Sequence, residues 1–217
     1  VRNHGGGLVL NRTTTELNNV VLENNHSDRY GGGIRISDET VLTMINSKIS
    51  TNIARYGGGL SANTGSKISL TDTDVLENKA IRIANEENES NKGGDGGGIN
   101  IDLPNTTFTM TGGKIDGNIA ESSGGGLIAT AQSQFSLINV PVTKNSAKLA
   151  HGGGAFLKGS SKGTLSSSDI EENEAAINGG GIRLEDHGDL VIDESSVSKN
   201  TAPFGGGISA NTSSTVE

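Results

Sequence analysis

Gly-Gly-Gly occurs eight times in this 217-residue chain, starting at Gly5, Gly31, Gly57, Gly96, Gly124, Gly152, Gly179 and Gly205. The spacings are 26, 26, 39, 28, 28, 27 and 26 residues. Self-similarity at such a period marks a repeat architecture, in which one supersecondary unit stacks on the next. No other feature restricts the fold as strongly.

The columns within the repeat say which unit it is. The residue after each triplet is Leu8, Ile34, Leu60, Ile99, Leu127, Ala155, Ile182 or Ile208, and two further on comes Leu10, Ile36, Ala62, Ile101, Ala129, Leu157, Leu184 or Ala210. Apolar residues at period two read as a short strand with one buried face. A second strand follows, with inward pairs Thr15/Leu17, Leu42/Met44, Ile68/Leu70, Phe108/Met110, Phe135/Leu137, Gly163/Leu165 and Leu190/Ile192. Five residues after each pair sits another aliphatic: Leu22, Ile49, Val75, Ile115, Val142, Ile170 or Val197. Three residues beyond that is always asparagine: Asn25, Asn52, Asn78, Asn118, Asn145, Asn173 and Asn200. Two further on the residue is Ser27 or alanine.

These columns predict an all-β fold: a single-stranded, right-handed parallel β-helix of about seven full coils, each of 26–28 residues and roughly three short strands. Handedness follows from the right-handed preference of parallel crossovers. Like residues would stack at the ~4.8 Å strand spacing, giving a rod of about 34 Å. A narrow tube explains why aromatics are 3% of the chain and hydrophobic residues only 31%. The asparagines form the expected structural ladder, amide on amide, at a corner where Asn tolerates a left-handed backbone. Glycine at the opposite corner supplies positive φ or close approach of neighbouring coils.

The columns never lose register, so residues 1–217 read as one solenoid segment. Its one irregularity is a 15-residue insert, Ile81–Asp95, in the third coil. Neither end shows a capping coil, and bare solenoid ends associate. A longer chain, or end-to-end stacking on other copies, is therefore expected.

Composition narrows the function classes. Net charge is −8, from 17 basic and 25 acidic residues, which disfavours nucleic acid as a partner. No cysteine is present, so thiol catalysis and Cys-ligated zinc are excluded. No apolar run approaches the length of a membrane span. The outward column of the first strand reads Val9, Arg35, Ser61, Asn100, Ile128, Phe156, Arg183, Ser209, and that of the second reads Glu16, Thr43, Ser69, Thr109, Ser136, Thr164, Val191. Neither gathers the paired carboxylates of a glycoside-cleaving site, and no catalytic residue is assigned. Asp72 with Asp74 and Asp186 with Asp189 are turn acids that serve backbone hydrogen bonds. The four histidines, His4, His26, His151 and His187, are scattered and read as solvated turn residues, so no metal site is assigned. No cofactor is expected. Gly93-Gly94-Asp95-Gly96 is similar to part of a calcium-binding glycine-rich nonapeptide, present once and at the wrong period, which makes calcium a minor candidate. The hydroxyl column of the second strand suggests an ice-binding face, but Lys67, Gln134 and Lys162 beside it spoil a regular array.

The candidate contact surface consists of Tyr30 and Tyr56, which precede consecutive triplets, and the acidic insert residues Glu86, Glu87, Glu89 and Asp95. Stacked aromatics hold sugar rings or each other, and loops on one face of a repeat protein carry binding.

Gly-Gly-Gly-[Ile/Leu] followed by an aliphatic-x-x-Asn resembles the repeats of the polymorphic outer-membrane proteins, whose signature pairs Gly-Gly-Ala-[Ile/Leu/Val] with Phe-x-x-Asn. The resemblance covers all seven coils and marks a divergent relative: the third triplet residue is Gly, and the aliphatic is never Phe. It implies an autotransported, surface-exposed β-helix adhesin. The expected function is thus an extracellular, cell-surface structural or adhesive module without catalysis. Its partners would be adjoining coils or copies, and a host or neighbour cell surface or glycan. The alternatives are a self-stacking filament subunit and a β-helix polysaccharide lyase or hydrolase.

Overall fold

The computed structural model describes residues 5–82 and 93–217. Glu86, Glu87, Glu89 and His4 lie outside the described residues. The described chain forms 28 strands and no helix. They assemble into four parallel sheets of eight, eight, seven and five strands. The second coil shows the unit: strands Ile34–Ser37, Val41–Ile45, Lys48–Ser50 and Ile53–Ala54. The second to sixth coils thus have four strands each where the sequence suggested roughly three, and the first and seventh have three. The extra one is a two-residue strand that ends on the small residue after the ladder asparagine, as in Lys79–Ala80 and Ile119–Ala120.

Register places like on like. Leu8, Ile34, Leu60 and Ile99 pair in succession along the first sheet, and Leu42, Ile68, Phe108 and Phe135 along the second. The inward columns make one continuous core, in which Ile34, Ile36, Leu42, Met44 and Ile49 are fully buried. No coil could bury these side chains alone, so stability comes from stacking.

The seven asparagines align as one hydrogen-bonded column. Asn52 Nδ2 donates to Asn78 Oδ1 at 3.0 Å, and Asn118 Nδ2 to Asn145 Oδ1 at 2.9 Å. The same oxygens accept the backbone N–H of the preceding asparagine, as in Asn118 N to Asn145 Oδ1 at 2.9 Å. A third bond closes the corner across the coil, from Asn118 Nδ2 to Val75 O at 2.9 Å. The asparagines themselves are not left-handed. Positive φ falls on the residue before each: Asn24, Thr51, Glu77, Gly117, Lys144, Glu172 and Lys199. That residue turns the chain, and the turn delivers the asparagine inward.

At the opposite corner the first glycine of every triplet has positive φ. The second glycine is where coils touch: a Cβ on Gly58 would lie 2.4 Å from Gly97 O and 2.5 Å from Lys79 O.

The insert does not disturb the stack. Arg82 and Gly93 pair antiparallel at its base, and Gly57 N donates to Asp95 O at 3.0 Å.

Candidate functional site: a groove on the first sheet

Between exposed Val9 and half-buried Ser209, the outward column of the first sheet is not solvent-facing as its position implied. Arg35, Ser61, Asn100, Ile128, Phe156 and Arg183 are all buried. They form the floor of a groove. One wall is the residue before each triplet, where Tyr30 pairs with Tyr56, Tyr56 with Asp95, and His151 with Asn178. The other wall is the turn that leaves the strand, with Asn11, Ser37, Asp38, Asn63 and Thr64 at the first coils. The wall before the triplets touches the floor: Arg35 lies 4.5 Å from the centre of the Tyr30 ring, and His151 meets Phe156 edge-on at 6.0 Å.

Of the predicted contact residues, the structure brings Tyr30, Tyr56 and Asp95 together in this wall. The two rings stack at 5.4 Å with an interplanar angle of 27°. Arg29 approaches Tyr30 at 5.0 Å and Arg55 approaches Tyr56 at 5.8 Å. Stacked tyrosines between guanidinium groups gain from cation–π attraction. Asp95 Oδ1 accepts the Ser123 N–H at 3.1 Å. Burial pushes its carboxyl above the usual aspartate range, opposed by hydrogen bonds from Ser122 and Ser123 and by Arg82. The ladder asparagines form a structural column on another side of the coil.

Sequence reasoning missed the two arginines of the floor. Arg35 Nη1 donates to Ser61 Oγ at 3.1 Å, and Arg183 Nη1 to Ser209 Oγ at 2.7 Å, one coil on in each case. Burial lowers the Arg35 guanidinium pKa from its ordinary value, while Tyr30, Asp38 and Asp102 act to hold the charge. Arg183 Nη2 stands 3.8 Å from Glu185, and its buried Nε has no hydrogen-bond partner among the described residues. The signal was available in sequence as an arginine between two aliphatics directly after a triplet, in Ile34-Arg35-Ile36 and Ile182-Arg183-Leu184.

His151 is a further correction: it is half-buried, with Nδ1 3.2 Å from Asn178 Nδ2. The amide donates there, so Nδ1 accepts and the proton sits on Nε2. Burial holds His151 below its ordinary pKa, helped by Arg183 and Lys158 and opposed by Glu185. His26 faces Asp28 at 3.5 Å and is exposed. Asp186 and Asp189 each face a lysine of the preceding coil, Lys158 at 3.4 Å and Lys162 at 3.8 Å. Among the described residues no three His, Cys, Asp or Glu side chains gather to hold a metal ion, and no helix is long and apolar enough to cross a membrane.

Around the Arg35 floor the groove deepens to a cavity of about 370 Å³, lined by Val9, Asn11, Arg35, Ser37, Asp38, Asn63 and Thr64. Asn11 Nδ2 bridges Ser37 Oγ at 3.1 Å and the Asp38 carboxylate at 2.5 Å.

Stacked parallel coils with a continuous core define the class, a parallel β-solenoid. The chain belongs to the right-handed β-helix family: the family described as right handed beta helix region matches residues 97–217, more than half of the chain. No curated protein and no solved structure gives a match.

Proposed function

We infer that this β-helix is a non-catalytic structural and adhesive module of an extracellular, surface-exposed protein. The observation that carries this reading is a contrast between columns. The ladder, glycine and core columns repeat from coil to coil, while the half-exposed column before the triplets varies along the rod: Tyr30, Tyr56, Asp95, His151, Asn178, Phe204. Chemical variety on a constant rigid frame is the arrangement of a contact surface, because positioned side chains need support from a scaffold that does not move. The resemblance to surface adhesin repeats points the same way.

The test is binding by the fluorescently labelled chain to intact cells and to an oligosaccharide array. Saturable binding to either is expected. Absence of both overturns the adhesive reading. Incubation with acidic polysaccharides and calcium, with product release measured, tests the other half: release of product overturns the non-catalytic reading.

A further inference from the structure

We propose that the cavity over Arg35 is a binding site for a neutral saccharide, held through a vicinal pair of hydroxyl groups. This rests on the adhesive reading and names its ligand class and its place.

The argument starts from size. At about 370 Å³ the cavity falls within the range of small-molecule sites. It exists because of its neighbours along the floor. Arg35 stands in register between Val9 and Ser61; its guanidinium bonds to buried Ser61, and the cavity lies over the guanidinium beside the short, exposed side chain of Val9. Tyr30 walls off the glycine side.

The lining chemistry then selects the ligand. Arg35 brings five N–H donors and no acceptor, and one of them is engaged by Ser61. Asp38, half-buried in the adjoining wall, brings carboxylate acceptors, held by the Asn11 amide. Asn63 brings both a donor and an acceptor, and Ser37 and Thr64 add hydroxyls. A guanidinium on the floor and a carboxylate on the adjoining wall match adjacent hydroxyls, one accepting from arginine and the other donating to aspartate. The two charges also cancel. A uronate or a phosphate would meet Asp38 as well as Arg35, so a net anion is disfavoured. A divalent cation would meet Arg35, and the lining offers a single carboxylate for it.

The turn geometry makes a clean variant available. Asp38 and Glu39 both have positive φ, 55° and 59°. Asparagine keeps that conformation and the shape of Asp38, and still offers an oxygen to Asn11. Asp38→Asn therefore removes the charge without opening the turn. Asn63→Ala is the second variant, on the next coil, and Thr164→Ala on the second sheet is the control.

The experiment probes an array of neutral and uronate-bearing oligosaccharides with the wild-type chain and the three variants, each checked for an unchanged thermal midpoint. Neutral glycans are expected to bind. Affinity should fall about tenfold or more in Asp38→Asn and Asn63→Ala, with Thr164→Ala unchanged. Glycan binding that both cavity variants retain overturns this site and leaves the adhesive reading standing. Binding restricted to acidic glycans, or stronger in Asp38→Asn, overturns the neutral class. Binding to cells with no glycan bound overturns the saccharide proposal alone, whereas no binding of either kind removes the adhesive reading with it.

Discussion

Asn78 and Asn118 stand 40 positions apart, yet Asn78 Nδ2 donates to Asn118 Oδ1 at 3.0 Å. Asn52 and Asn78, 26 positions apart, make the same bond at the same distance. The ladder is blind to the length of the coil it joins. What it requires is an inward amide at each level, and each amide both donates to one neighbour and accepts from the other.

That reciprocity makes an internal rung worth more than a terminal one. Asn118→Ala takes the acceptor from the Asn78 backbone N–H and one bond each from the Asn78 amide, the Asn145 oxygen and Val75 O, in a fully buried corner; the Asn78 amide keeps Ile49 O and the Asn145 oxygen keeps the backbone N–H of residue 118. The expected loss is about 2–3 kcal/mol, since a buried unsatisfied group costs about 1–3 kcal/mol. Asn25→Ala, half-buried at the first rung, should lose about 1 kcal/mol. Urea unfolding of both variants checks the order; equal losses would show that the ladder is not cooperative.

Glycine should be indispensable inside the stack and replaceable at its last level. A Cβ on Gly125 would meet Gly153 O at 2.3 Å and Ser146 N at 2.5 Å, both backbone atoms. Gly125→Ala must push two coils apart, and a loss above about 3 kcal/mol is expected. At Gly207 the nearest atom to such a Cβ is Val197 Cγ1 at 3.5 Å, and φ is not positive. Gly207→Ala should leave the melting temperature unchanged, as read by circular dichroism.

One position of the core breaks its column for a reason. Gly163 occupies an inward site where every neighbouring coil carries an apolar side chain, because the Phe135 ring fills the space above it. A Cβ there would lie 2.6 Å from Phe135 Cζ and 2.9 Å from Leu157 Cδ2. These are side-chain ends, so Gly163→Ala should cost about 1–3 kcal/mol without abolishing folding. Adding Phe135→Leu should restore part of it, a favourable coupling of about 1 kcal/mol in a double-mutant cycle. Strict additivity would count against the pairing.

His151 gives the rod a pH dependence of known sign. Its folded pKa lies below the ordinary value of 6.5, so the unfolded chain takes up its proton first as pH falls. The contribution to stability is present above pH 6.5 and is lost as pH drops below it. Between about pH 7.5 and 5.5 the urea midpoint should fall more for wild type than for His151→Asn, which places at this level the residue found one coil on, Asn178. Parallel curves for the two proteins would remove His151 from this role. The carboxylates Glu121 and Glu171, whose pKa values are lowered, act at lower pH.

The parallel coils, the core pairs and the asparagine ladder were legible because each is a column, and a column averages over its neighbours. What was not legible depended on depth. Ser61 sits at an outward position by period two, yet it is fully buried, because Arg35 and Asn100 of the adjacent coils bond to its hydroxyl and the turn at Gly57 stands against it. Strand periodicity states which way a side chain points from its own sheet. It does not state what the next turn lays on top. For the same reason Tyr30 was found as a surface candidate, whereas Arg35 beneath it was not. A third column was readable and went unused: Thr40, Ser66, Thr106, Ser133 and Ser161 precede the second strand and are fully buried. The hydroxyls of Thr40, Ser66 and Thr106 close their own turns, as in Thr40 Oγ1 to Ser37 O at 2.6 Å, while Ser133 and Ser161 donate to Ile101 O and Ala129 O of the preceding coil. Small polar residues in a turn look solvated in sequence, and only their stacking shows otherwise.

The crowded middle glycine has a mechanical corollary. Where a carbonyl occupies the room a methyl would need, adjacent laps can neither compress nor tilt independently. A load applied at one end passes through the whole pile, shared among four seams of backbone bonds at each level. Such a body resists tension as a unit, so whatever grips its side is held at a fixed height and angle.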